Sequence, residues 1–145
     1  MQVRHLLKEK GVSVIGIPAS ASLADAARLL TEKNIGAVVV RDEDGALAGI
    51  FSERDLVRAL AAAGAEALNH PVSRHLTRDV VTCGLCHNME DLMEMMTRGR
   101  FRHVPVLDDD GRLCGLVSIG DVVKNRIAET VREAEELRVY ISATA

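Results

Sequence analysis

Apolar positions in this chain fall into short runs that alternate with stretches of helical spacing. Val12 to Ile17 is a brief, β-branched run and predicts a strand. Ser22 follows as a helix cap, with Leu23, Ala26, Ala27 and Leu30 on one face. Gly36 to Val40 is continuously apolar, as a strand covered on both sides should be. The turn Asp42-Glu43-Asp44-Gly45 leads into a strand over Leu47 to Phe51, and a second helix runs from Ser52 to about Gly64. The same order then recurs. A strand is expected over Val80 to Cys83 and a helix over Asn88 to Arg98. Strands over Phe101 to Leu107 and Arg112 to Ser118 flank Asp108-Asp109-Asp110-Gly111, and a last helix runs from Ile119 to about Tyr140. On that helix Val123, Ile127, Val131, Ala134 and Ile141 recur at helical spacing, which predicts one buried face. Met1 to Lys10 predicts a leading helix with Val3, Leu6 and Leu7 inward; Val72 and Leu76 stand in the corresponding place before the second set.

The recurrence is an internal repeat with a constant offset of 66 positions, the distance from Asp55 to Asp121. Gly49-Ile50-Phe51-Ser52-Glu53-Arg54-Asp55 matches Gly115-Leu116-Val117-Ser118-Ile119-Gly120-Asp121, and no gap is needed from Val14 to Val57. One copy of roughly 60 residues is marginal alone, so two copies sharing a core are expected. The predicted fold is α/β (α+β): two β-α-β-β-α repeats about a pseudo-twofold axis. Repeat 1 with the leading helix spans 1–66, and repeat 2 with the extended C-terminal helix spans 67–145.

These motifs, with Phe101-Arg102-His103-Val104-Pro105-Val106 and Asp79-Val80-Val81-Thr82, resemble the cystathionine-β-synthase (CBS) domain, and the tandem resembles a Bateman module. The resemblance covers nearly the whole chain. It implies a non-enzymatic sensor of adenosine ligands (AMP, ADP, ATP, NAD or S-adenosylmethionine) held in clefts between the repeats. It also implies a flat homodimer. With no effector domain attached, the implied partner is a separate regulated protein.

Ser52-x-x-Asp55 and Ser118-x-x-Asp121 each stand at a strand-to-helix junction. One reading is a helix cap, with Ser accepting a backbone N–H and Asp favouring the positive helix start. The other is a ribose site, since a carboxylate there can accept from a sugar diol while the helix start favours phosphate. The resemblance favours ribose for Asp55 and Asp121, with Ser52 and Ser118 beside them. Phosphate needs cations with directional donors. Arg54 is one candidate, although its second-copy equivalent is Gly120. Arg102 and His103 are others, and their first-copy equivalents are Gly36 and Ala37. Ile50, Leu116, Ile15, Gly16, Val81 and Thr82 are candidates for the adenine walls, though core packing explains the aliphatic ones equally well.

Composition narrows the classes. Aromatics make up 2%, with no Trp, and formal net charge is −3, which argues against nucleic acid as a partner. No apolar stretch reaches membrane-spanning length and no signal peptide is visible, so a cytoplasmic protein is expected. Cys83-Gly84-Leu85-Cys86-His87 leaves open a thiol redox or metal sensor using Cys83 and Cys86; a purely structural dimerisation module is a further alternative. The methionines at 89, 93, 95 and 96 read as core filling. His5, His70 and His75 show no spacing that suggests a metal or a base, and no catalytic motif occurs.

Overall fold

The structure, a computed structural model, describes residues 1–11 and 14–144. The first half comprises α1 (Val3–Lys10), β1 (Gly16–Pro18), α2 (Leu23–Lys33), β2 (Ala37–Arg41), β3 (Leu47–Ser52) and α3 (Glu53–Ala63). Two short 3-10 turns, Gly64–Asn69 and Val72–Arg74, lead to β4 (Cys83–Gly84), α4 (Met89–Gly99), β5 (His103–Leu107), β6 (Leu113–Ser118) and α5 (Ile119–Thr144). The predicted first strand began at Val12, and Val12 and Ser13 lie outside the described residues.

Each half builds a three-stranded sheet, ordered β1-β2-β3 and β4-β5-β6, with one parallel and one antiparallel pairing. The register repeats with the sequence: Val38 faces Phe51 where Val104 faces Val117, and Ala37 faces Ser52 where His103 faces Ser118. A register shift falls at Val40/Arg41 and again at Val106/Leu107.

The strand predicted over Val80 to Cys83 contracts to Cys83–Gly84. Val39 N–H donates to Ile15 O at 3.2 Å in the first half. Its equivalent is Pro105, which has no N–H to give to Val81. The ladder therefore starts later, and Val81 is left 44% exposed.

Alternation along the strands splits the side chains between two faces. Val38, Val40 and Phe51 join α2 residues Leu23, Ala26 and Leu30 in one core; Val104, Val106 and Val117 join Leu92 and Met96 of α4 in the other. Burying each of the larger side chains contributes about 1.5–3 kcal/mol. The leading segments cross over. Val3, Leu6 and Leu7 of α1 pack in the second core, whereas Ala67 and Val72, which precede the second copy, pack in the first. Glycines permit the close approach: a Cβ on Gly115 would meet Leu7 Cδ2 at 2.6 Å, and one on Gly49 would collide with the Thr77 carbonyl oxygen.

The predicted apolar face of α5 is not buried within the chain. Val123, Ile127, Val131 and Ile141 are 48%, 60%, 53% and 57% exposed, Ala134 is exposed too, and Val122 is the buried α5 residue. Length explains this. A 26-residue helix runs about 39 Å, roughly twice the reach of a six-residue strand, so most of α5 has no sheet beneath it.

Candidate functional site

Ser52 ends β3 and caps α3. Its Oγ accepts Asp55 N–H at 3.3 Å, while Asp55 Oδ2 accepts the Ser52 N–H at 2.9 Å and the Ser52 hydroxyl at 3.1 Å. Asp121 repeats the arrangement on α5: its Oδ2 accepts Ser118 N–H at 2.8 Å, and Ser118 Oγ accepts Asp121 N–H at 3.2 Å. Both carboxylates are thus helix caps, fixed at a helix start where negative charge is favoured.

What closes over the two carboxylates differs. In the first half Thr77 donates its hydroxyl to Asp55 Oδ1 at 3.0 Å and exchanges backbone hydrogen bonds with Ile50 at 2.8 and 3.0 Å. Both Asp55 oxygens are engaged and the residue is 6% exposed. In the second half a single ammonium replaces those contacts. Lys10 Nζ donates to Leu116 O at 2.8 Å and to Asp121 Oδ2 at 2.6 Å. Among the described residues nothing donates to Asp121 Oδ1, and the side chain is 21% exposed.

The charges around Asp121 interact. Burial alone would raise its carboxyl, but the hydrogen bonds from Lys10 and the Ser118 backbone outweigh that and hold it below the ordinary carboxylate range. Burial lowers the proton affinity of His103, Lys10 and Arg102 lower it further, and Asp121 and Glu53 oppose them. A Cβ built on Gly36 would lie 3.5 Å from Glu53 Oε1 and 3.8 Å from His103 Cε1. The starts of β2, α3 and β5 therefore meet where the two halves face each other. The ties there are symmetric: Glu53 N–H donates to Gly36 O at 3.0 Å and Ile119 N–H to Arg102 O at 2.8 Å.

Strand pairing places Ala37, Ile50, Ser52, His103, Leu116 and Ser118 on sheet faces opposite the helical cores. Ala37 and Ile50 are buried there; His103 and Leu116 are half-buried. Ile15 is half-buried with its carbonyl used by Val39, Gly16 is exposed and Thr82 is half-buried. The side chains of Arg54 and Arg102 are exposed and join no ion pair among the described residues. Lys10 and Thr77 carried no motif; only the folded chain brings them to the capping carboxylates. A cavity of about 560 Å³ between α1 and α5 is lined by Lys10, Asp121, Lys124, Asn125 and Arg132, among others. Asn125 Oδ1 is buried with no hydrogen-bond partner among the described residues.

His70 and His75, which showed no meaningful spacing, meet across the turn between the halves. Their Nδ1 and Nε2 atoms lie 2.8 Å apart and the rings are stacked. The Cys-x-x-Cys-His stretch is the turn from β4 into α4, where Gly84 N–H donates to His87 Nδ1 at 2.9 Å. Burial, aided by Cys114, pushes the Cys83 thiol up to about 11, which opposes thiolate chemistry at neutral pH. Cys86 is exposed and accepts from Arg4 at 3.4 Å. Among the described residues no group of three or more His, Cys, Asp or Glu is placed to hold a metal ion, and no helix is long and apolar enough to cross a membrane.

Two crossed β-α-β-β-α halves, each presenting a capped Asp at its strand-to-helix junction, define a paired-repeat module. The chain belongs to the CBS domain family, which it matches over residues 3–62 and 72–128. It is 34% identical over 147 residues to the mitochondrial CBS domain-containing protein CBSX3 of Arabidopsis thaliana, covering 96% of this chain and 71% of that protein. It is 50% identical, with a TM-score of 0.83, to the CBS-domain containing protein ATU1752 from Agrobacterium tumefaciens, over 86% of this chain and 92% of that one. The CBS domain protein PAE2072 from Pyrobaculum aerophilum, solved as a complex with AMP, is 26% identical with a TM-score of 0.74, over 83% and 89%. The chain spans between 36% and 71% of the first five curated relatives it matches.

Proposed function

We propose that this chain is a regulatory module, not a catalyst, that binds an adenosine nucleotide (AMP, ADP, ATP or NAD) at the Asp121 junction and reports its occupancy to a separate protein. The observation that carries this is the unequal closure of two equivalent carboxylates. Asp55 is saturated by Ser52 and Thr77, whereas Asp121 keeps an oxygen that no described residue uses. A ribose diol fits that oxygen, Leu116 supplies an apolar wall, and the α5 start with Arg102 and His103 suits a phosphate. The AMP bound to the Pyrobaculum relative supports the ligand class. The uncovered stripe of α5 suits a second copy of the chain, giving a homodimer in which a shift between halves can be read by the partner.

Calorimetry with AMP, ATP and NAD tests the reading. The expected result is weak binding, micromolar to millimolar, at one site per chain, abolished by Asp121→Ala and retained by Asp55→Ala. Absence of heat from all three nucleotides, or loss of binding only in Asp55→Ala, would overturn it.

A further inference from the structure

We propose that Lys10 makes the Asp121 site select adenosine ligands that carry a phosphate, by exchanging one anionic partner for another; this rests on the reading that a ribose binds at Asp121. In the first half the strand-end carbonyl of Ile50 and the carboxylate of Asp55 receive their donors from Thr77, which is fixed by a two-way backbone ladder. In the second half the Leu116 carbonyl and the Asp121 carboxylate, here at Oδ2, both receive the ammonium of Lys10. A flexible four-carbon stem has taken over the work of a rigid main chain. The strand-end carbonyl of Ile50 is freed only if backbone moves, whereas that of Leu116 is freed by side-chain rotation.

A ribose diol that places one hydroxyl on the open Asp121 Oδ1 and the other on Oδ2 competes with Lys10 for Oδ2. The displaced ammonium then needs a new anion. Lys124 and Arg132 line the same cavity as Lys10 and Asp121, so the freed ammonium has further cations near it. An uncharged nucleoside leaves that ammonium without the carboxylate it gave up, and a sulfonium adds another positive charge. A phosphate ester on the bound sugar brings the missing counter-charge within reach of the lysine stem, in a charge-assisted contact of the strong kind. The order of preference is therefore nucleotide, then nucleoside, then sulfonium nucleoside.

The test compares AMP with adenosine by calorimetry on the full chain, as wild type, Lys10→Met and Lys10→Arg. Wild type should bind AMP at least about tenfold more tightly than adenosine, the scale of one charge-assisted hydrogen bond. Lys10→Met should reduce that ratio by about tenfold, with adenosine binding strengthened, while Lys10→Arg, which keeps the cation, should preserve the preference. A ratio that Lys10→Met leaves unchanged overturns the proposal while leaving the Asp121 site standing. Binding of neither ligand to wild type overturns the site, and this proposal with it.

Discussion

Thr77 and Asp55 are joined across 22 positions by a 3.0 Å hydrogen bond from the threonine hydroxyl to the carboxylate. The bond meets a charge that is nearly sealed from water, in a residue only 6% exposed. Thr77→Val keeps the shape and removes the donor, leaving one carboxylate oxygen short of a partner. The expected loss is about 1–3 kcal/mol of folding stability. Urea unfolding measures it, and an unmoved midpoint would mean that the hydroxyl is dispensable.

Two histidines set a pH dependence. Burial, then His70 and Arg74, lowers the proton affinity of His75, with Asp55 opposing; burial with Lys10 and Arg102 does the same to His103. The folded chain therefore takes up these protons less readily than the unfolded chain. Stability is fully present above the ordinary imidazole value of 6.5 and declines as pH falls through and below it. Urea midpoints at about pH 7.5 and about pH 5.5, on either side of that value, should differ in this direction. The difference should shrink in a His75→Asn, His103→Asn double variant.

Pro105 accounts for the short β4, so Pro105→Val should restore the missing rung. The new amide would donate to Val81 O as Val39 donates to Ile15 O. Hydrogen exchange at residue 105 should show a protected amide. Net stability should change by less than about 1 kcal/mol, because the gained bond is offset by lost chain stiffness. A freely exchanging amide there would show that the proline is not what shortens the strand.

The α5 stripe gives a test of self-association. Ile127 and Val131 are each more than half exposed on one face of the helix. Sedimentation of wild type is expected above the 15.7 kDa of one chain, and Ile127→Glu with Val131→Glu should return it to that mass. A wild-type monomer at tens of micromolar, roughly, would remove the interface from consideration.

The repeat was legible because duplication writes the same register twice: every pairing of β2 with β3 recurs between β5 and β6 at the same offset. The capping Ser and Asp were legible too, since their bonds span three residues and are set locally. Periodicity on α5 established that a face is apolar, but not that anything in the same chain would reach it. Lys10 and Thr77 were missed for a different reason. Their partners lie 111 and 22 positions away, and neither residue belongs to a local pattern. The exchange of leading segments was equally invisible, because Val3, Leu6 and Leu7 predict an apolar groove without saying which half provides it. His70 and His75 depend on a turn at Pro71 that folds i and i+5 together.

That exchange means the molecule is buckled, not merely joined. A piece ending near residue 66 would keep a helix whose seat lies in the missing piece, and would lack Val72, which fills its own interior. Neither half is a free-standing lobe, so the pair should melt in one step. Any tilt imposed at one junction is then transmitted through clasped helices and not through a slack tether.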